Sequence, residues 1–164
     1  MKKGVKRAFW PAFAIAFAIS LAVAGAGASL TELGAWYFAL KQPAWKPPDY
    51  AFGLIWSTIF TLCAFSAASA WTHAETPARK RRLWVLFLLN GALNMGWSLL
   101  YFKLHRPDWA LGEWVLLWLS VLSLVPGLRS YGRMAPWLNV PYLVWVSAAG
   151  LLNWQTLVLN GPFG

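Results

Sequence analysis

The chain has 164 residues, of which 59% are hydrophobic and only 12% are charged, and it contains thirteen tryptophans. Soluble domains carry about 25% charged residues, so the composition excludes an ordinary soluble enzyme or binding domain. The formal charge of +9 could indicate nucleic-acid binding, but the basic residues are spread over the ends of apolar segments. We therefore expect no nucleic-acid partner.

Five segments are long and apolar enough to cross a bilayer, which takes about 20 residues for a hydrocarbon layer of roughly 30 Å. We place these spans at about 8–30, 50–71, 83–102, 109–128 and 135–159. The first resembles a signal peptide, but its apolar run exceeds the usual length of about 7–15 residues. The predicted fold class is therefore all-α, an integral membrane bundle of five transmembrane helices in contact with membrane lipid. Because the connections are short, we expect a single domain over residues 1–164.

The basic residues alternate between the two sides of this predicted bundle. One side carries Lys2, Lys3, Lys6, Arg7, Arg79, Lys80, Arg81, Arg82, Arg129 and Arg133, and the other carries Lys41, Lys46, Lys103 and Arg106. Loops rich in Lys and Arg stay in the cytoplasm. The pattern predicts a cytoplasmic N-terminus, an external C-terminus and an external loop at residues 31–49.

That loop is stiff, because Pro43, Pro47 and Pro48 each fix φ and remove a backbone donor. Trp45 lies between the prolines. Two interpretations are open: a lid over a site that the helices enclose, or a short interfacial turn anchored by one tryptophan.

Two spans each carry a row of aromatic and polar or cysteine side chains along one helix face. In the second span the shared face holds Phe52, Trp56, Phe60 and Cys63, and in the third it holds Asn90, Asn94, Trp97 and Tyr101. Carboxamides in the middle of a bilayer need partners. The asparagines therefore face either another helix, through a hydrogen bond, or a ligand cavity.

Small residues mark possible close approaches between helices. The first span has a stripe that we expect to pack inside the bundle, formed by Ala14, Ala18, Ala22 and Ala26. Ala92 and Gly96 lie nearly opposite the asparagines, and we predict that they form a homodimer interface. In the fifth span, residues 147–150 leave space beside Trp145, which indicates a slot for a ligand or close packing against the first helix.

The reactive residues do not form a known catalytic arrangement. Cys63 is the single cysteine, and His73 and His105 lie in loops on opposite sides of the membrane. No Ser/His/Asp, Cys/His or paired-carboxylate pattern is present. We name no catalytic residue, no metal ligand and no obligatory cofactor.

The motifs WKPP, GLIW, LLNxxxNxxWS and VPYLxW, in this order between about Trp36 and Asn160, resemble the translocator protein family (TspO/MBR, tryptophan-rich sensory proteins). The resemblance implies a bacterial five-helix bundle, usually homodimeric, with a pocket roofed by the first loop. The family binds porphyrins, haem-pathway intermediates, and isoquinoline and benzodiazepine drugs. The ligand-binding residues implied are Tyr37, Trp45, Trp56, Phe60, Asn94, Trp97, Trp145 and Ala149, and more loosely Trp114 and Trp118.

Two departures limit the resemblance. The C-terminal stretch NWQTLVLNGPFG lacks the Tyr-then-Arg sterol pattern of the animal proteins, so we do not expect cholesterol transport. Trp97 stands where some relatives have a smaller aromatic, which implies a narrower or differently oriented pocket. Three functions stay open: a porphyrin-binding sensor or transporter, which we favour; a light-dependent porphyrin-degrading enzyme; and a scaffold whose tryptophans only pack.

Overall fold

A computed structural model describes residues 3–163, with side chains from residue 8 onward. Throughout this part of the chain the secondary structure is helical and no strand is present. The helices are α1 (Lys3–Leu30), α2 (Ala35–Ala39), α3 (Asp49–Thr72), α4 (Pro77–Ser98), α5 (Pro107–Gly127), α6 (Met134–Trp137) and α7 (Val140–Asn160). A π-helical turn, Leu99–Lys103, continues α4, and a 3-10 turn, Arg129–Tyr131, precedes α6.

Five helical segments have the length and hydropathy needed to cross a membrane. They are Ala8–Leu30, Asp49–Thr72, Pro77–Lys103, Pro107–Gly127 and Met134–Asn160. The predicted fold class and number of spans are therefore confirmed. We call the end of the bundle that carries residues 31–48 the loop end, and the end that carries residues 73–76 the opposite end.

The third span begins earlier than the sequence predicted, at Pro77 and not at residue 83. Thr76 caps this helix, because its hydroxyl oxygen accepts a hydrogen bond from the backbone N–H of Arg79 at 3.3 Å. Pro77 occupies the first turn, where its missing N–H costs nothing. The basic run 79–82 is therefore helical and continuous with the membrane span.

The fifth span is interrupted, whereas the sequence predicted one helix over 135–159. α6 ends at Trp137 and α7 begins at Val140, with Pro141 in its first turn. The buried side chain of Asn139 bridges this break, since its Nδ2 donates to Ser66 Oγ at 2.7 Å and to the Ala135 carbonyl at 2.9 Å. The interruption thus ties the last span to α3 by buried hydrogen bonds.

The helix α1 lies at the edge of the bundle and packs chiefly on α3. Phe13 stacks on Phe65 of α3, with ring centroids 4.3 Å apart. The alanine stripe predicted to pack inside the bundle faces outward over most of its length: Ala14, Ala18 and Ala22 are exposed. That prediction is wrong because aromatic side chains, and not the small ones, form the contact with α3.

The core lies where α3, α5 and α7 meet in the middle of the bundle. Ile59, Leu117, Val121, Tyr142 and Val146 are buried there and form one cluster. α5 packs between α4 and α7, since it contacts both. The three helices that carry most of the candidate site residues are therefore held by one shared apolar core.

Candidate functional site beneath the loop

The loop between α1 and α3 is clasped to the end of α7. The indole N–H of Trp45 donates to Gln155 Oε1 at 2.6 Å. The backbone N–H of Lys41 donates to Asn160 Oδ1 at 2.7 Å, and Asn160 Nδ2 donates to the Lys41 carbonyl at 2.9 Å. These three bonds hold the proline-rich segment of the loop against the last helix.

A polar cluster fixes the inner side of the loop. The hydroxyl of Tyr37, in the short helix α2, donates to Asp49 Oδ1 at 2.9 Å, and Lys46 Nζ lies 2.5 Å from the same oxygen. Tyr37 is buried, and this burial raises the pKa of its hydroxyl above the usual value. The phenol therefore stays protonated at neutral pH and acts as a hydrogen-bond donor.

A small cavity of about 40 Å³ lies directly beneath this cluster. Three of the predicted site residues line it: Tyr37, Trp97 and Ala149. The cavity has further walls that the sequence analysis did not assign to a site: Gln42, Pro43, Lys46, Phe52, Tyr101, Phe102, Leu152, Asn153 and Thr156. Phe52 and Tyr101 were predictable members of the site. Phe52 shares a helix face with Trp56, and Tyr101 shares one with Trp97.

Trp56, Phe60 and Asn94 lie deeper, around the buried Tyr142. Trp56 stacks on Phe60 with centroids 5.6 Å apart and meets Tyr142 edge-on at 5.9 Å. Asn94 Nδ2 donates to the Tyr142 hydroxyl at 3.1 Å. Trp145 contacts Phe52 at 5.4 Å and thus lies between this deeper group and the small cavity.

Trp114 and Trp118 make contacts that hold α5 to α7. The indole N–H of Trp114 donates to the Val146 carbonyl at 2.7 Å, and that of Trp118 donates to Ser147 Oγ at 2.8 Å. A methyl group added at Gly150 would overlap the Trp114 ring. The space predicted beside Trp145 at residues 147–150 is therefore occupied, at Gly150, by Trp114 and not by α1.

Two tryptophans of the candidate site have unused hydrogen-bond donors. The indole N–H groups of Trp97 and Trp145 are buried and have no acceptor. Buried N–H groups are almost always paired, because leaving one unpaired costs about 1–3 kcal/mol. Trp97 lines the cavity under the loop, whereas Trp145 does not. The Trp97 N–H is therefore suited to a ligand that brings its own acceptor. The carboxylate of Glu113 is likewise buried without a donor.

A larger cavity of about 440 Å³ lies elsewhere, between α1, α3 and α4. Two predicted residues lie in its wall, Phe60 from the ligand-binding set and Ala92 from the dimer pair. Asn90, Cys63 and Tyr142 line it as well. This cavity was not predictable from the sequence, because no residue pattern shows that α1 diverges from α4.

The predicted dimer residues face different neighbours. Ala92 is exposed. Gly96 is turned toward α5, since a methyl group placed there would lie 3.8 Å from Glu113 Oε1. A homodimer interface at these positions stays a prediction.

Metal binding has no evident site in residues 8–163, where no three His, Cys, Asp or Glu side chains come close enough to share an ion. His105 stacks on Trp36, with centroids 4.1 Å apart. His73 Nδ1 is 2.7 Å from the Ser69 carbonyl. Both imidazoles are thus engaged at opposite ends of the bundle.

Five apolar helices with a clasped loop over a small cavity at one end define a helical protein of the integral membrane class. Residues 13–159 match the sequence profile of the TspO/MBR family. The chain belongs to this family, which confirms the resemblance drawn from its motifs, and it is an integral membrane protein.

Individual relatives agree with this assignment. The chain is 37% identical over 141 residues to Protein CrtK of Rhodobacter capsulatus, covering 84% of this chain and 86% of that protein. It is 34% identical over 141 residues to tryptophan-rich protein TspO of Chlorobaculum tepidum, covering 82% and 87%. It is 29% identical over 122 residues to the translocator protein of Bos taurus, covering 73% and 72%.

Proposed function

We propose that the protein binds porphyrin-like tetrapyrroles beneath the loop and has a sensory or transport role in the membrane. The observation that carries this proposal is the pair of buried, unpartnered indole N–H groups of Trp97 and Trp145. A tetrapyrrole offers a large aromatic surface for stacking and polar edges that accept hydrogen bonds. Lys46, at the cavity wall and paired with Asp49, can exchange that partner for a carboxylate on the guest.

The size of the cavity requires the loop to move during binding. Sites for drug-sized ligands occupy roughly 300–1,000 Å³, whereas the space under the loop is about 40 Å³. A tetrapyrrole can enter only when the clasp of Trp45 and Lys41 to α7 opens. We therefore infer that the structure shows the closed position of the loop.

Titration with protoporphyrin IX, followed by quenching of tryptophan fluorescence, tests this proposal. Loss of one stacking ring removes about 0.5–1.5 kcal/mol, so Trp145→Leu and Trp56→Leu should each weaken binding about 2- to 10-fold. Trp71→Leu is the matched control, because Trp71 lines the larger cavity and not the one under the loop. Weakening by Trp71→Leu alone would move the site to the larger cavity, and equal affinity in all variants would favour the scaffold function.

A second candidate is light-dependent porphyrin degradation. A chain of aromatic contacts leads from the cavity toward the loop surface: Trp97 stacks on Tyr101 at 5.1 Å, and Tyr101 meets Trp36 at 6.2 Å. Such a chain could carry an electron hole away from an excited guest. Chromatography of the pigment after illumination distinguishes the two functions: Trp97→Phe should preserve binding in both cases, but should stop pigment loss if indole oxidation drives the reaction.

We also propose a homodimer with a cytoplasmic N-terminus. The orientation follows from the ten basic residues of one side against four of the other. Two small-residue faces are available for a second copy. One holds the exposed Ala92 on α4, at the edge of the larger cavity, and the other holds the exposed Ala14, Ala18 and Ala22 on α1.

A further inference from the structure

The larger cavity is a wedge in the half of the membrane that faces the opposite end of the bundle. Near the middle of the bilayer α1 and α4 approach closely, since a methyl group added at Gly91 would lie 3.3 Å from Val23. From there the cavity continues toward residue 12 of α1 and residue 83 of α4, and α3 forms its third wall. The wedge is therefore narrowed where Val23 approaches Gly91, with Met95 lining it one turn beyond, and it extends toward the opposite end of the bundle.

The wedge is open sideways to lipid. Ile15 of α1 and Trp84 and Leu88 of α4 line it, and they remain 60%, 42% and 51% exposed. These side chains flank the gap between the two helices. Two polar side chains in its wall already have partners. Asn90 Nδ2 donates to Ser120 Oγ at 2.9 Å, and the Tyr142 hydroxyl accepts from Asn94. The remaining wall is almost wholly apolar.

A cation lies at the wide end of the wedge. Lys80 Nζ is 5.0 Å above the ring of Trp71, which in turn meets Trp84 edge-on at 6.1 Å. Both tryptophans line the wedge. Lys80 is four residues before Trp84 and eleven before Gly91, so all three follow one face of α4. None of the ion pairs formed by the described side chains involves Lys80.

We propose that this wedge binds one acyl chain of an anionic phospholipid, with the lipid phosphate at Lys80. The apolar wall suits the hydrocarbon, the tryptophans suit the interfacial region, and the lysine supplies a charge for the headgroup. The sideways opening lets the lipid enter from the leaflet at the opposite end. The wedge shares no lining residue with the cavity under the loop, although Phe60 and Tyr142 of the deeper aromatic group line it. The proposal does not depend on porphyrin binding.

The length of the wedge suits a lipid chain. Its wall runs along α4 from residue 83 to residue 95, a distance of about 18 Å at 1.5 Å per residue. A flexible hydrocarbon chain can follow a groove of this length. The choice of an anionic lipid rests on Lys80, which forms no ion pair with the described side chains and can meet a phosphate.

Native mass spectrometry of the detergent-solubilised protein tests this proposal with palmitoyl-oleoyl phosphatidylglycerol and with phosphatidylcholine carrying the same chains. The wild type should retain phosphatidylglycerol several-fold better. Ala16→Trp fills the wedge from α1 and should reduce retention of both lipids several-fold, whereas Ala18→Trp, on the outer face of the same helix, should change neither. Lys80→Gln should remove the preference for phosphatidylglycerol while leaving binding of phosphatidylcholine unchanged.

A second filling variant keeps the test decisive. Ala67→Phe narrows the wedge from α3 and should act like Ala16→Trp if thermal melting shows that either protein is folded. Undiminished lipid retention in a folded filling variant would overturn the proposal. An unchanged lipid preference in Lys80→Gln would also overturn it. A wild-type dimer that loses lipid as it forms and regains it on dissociation would do the same, because a second copy would then occupy the wedge.

Discussion

The clasp between the loop and α7 makes a quantitative prediction about the speed of ligand entry. Asn160 forms two hydrogen bonds with the backbone of Lys41, and both are lost in Asn160→Ala. A hydrogen bond contributes about 0.5–1.5 kcal/mol net, and these bonds are exposed, so we take about 1–2 kcal/mol for the pair. If ligand enters only through the open form, its association rate should rise about 5- to 30-fold.

Stopped-flow quenching of tryptophan fluorescence by protoporphyrin IX measures this rate. Ser57→Ala is a suitable control, because it removes a hydrogen bond within α3, from Ser57 Oγ to the Gly53 carbonyl at 2.7 Å, and leaves the loop untouched. An unchanged association rate in Asn160→Ala would show that the clasp does not control ligand entry. A slower rate would also contradict the prediction, because it would mean that the clasped loop forms part of the binding surface.

Three further outcomes follow from the packing and the charges. Gly150→Ala should lower stability by about 1–3 kcal/mol, the usual cost of overpacking, because its methyl group meets Trp114; thermal melting measures the loss, and an unshifted midpoint would contradict the contact. A thiol introduced by Lys46→Cys should react with an impermeant maleimide only from outside the cell; labelling from the cytoplasm alone would reverse the orientation. Ala92→Leu should weaken dimerisation on cross-linking; if it does not, the small stripe on α1 becomes the expected interface.

The boundaries of the membrane spans were predictable wherever hydropathy alone decides them. The start of α4 was not, because residues 77–82 are charged and helical at the same time, and their helix depends on the Thr76 cap. The break before α7 was not predictable either. It depends on a hydrogen bond from Asn139 to Ser66 of α3, which is 73 residues away in sequence.

The candidate site was predictable in part, since Tyr37, Trp97 and Ala149 share the cavity under the loop. The roles of Trp114 and Trp118 were not apparent, because a tryptophan beside small residues gives the same sequence pattern whether a ligand or the tryptophan itself fills the space. Their hydrogen bonds to α7 show helix packing. The wedge between α1 and α4 depends on how two helices diverge, which helix periodicity does not encode.

The clasp also has a consequence for how the protein is made. Lys41 and Asn160, which it joins, are 119 residues apart in the chain, and domains assemble as the ribosome delivers them from the N-terminus. The loop leaves the ribosome long before its partner on the last helix exists. During translation the space beneath it therefore has no fixed roof, and closing the roof is among the last steps of folding. We therefore expect a fusion attached directly after Asn160 to slow that final step, and a fusion at the N-terminus to leave its rate unchanged.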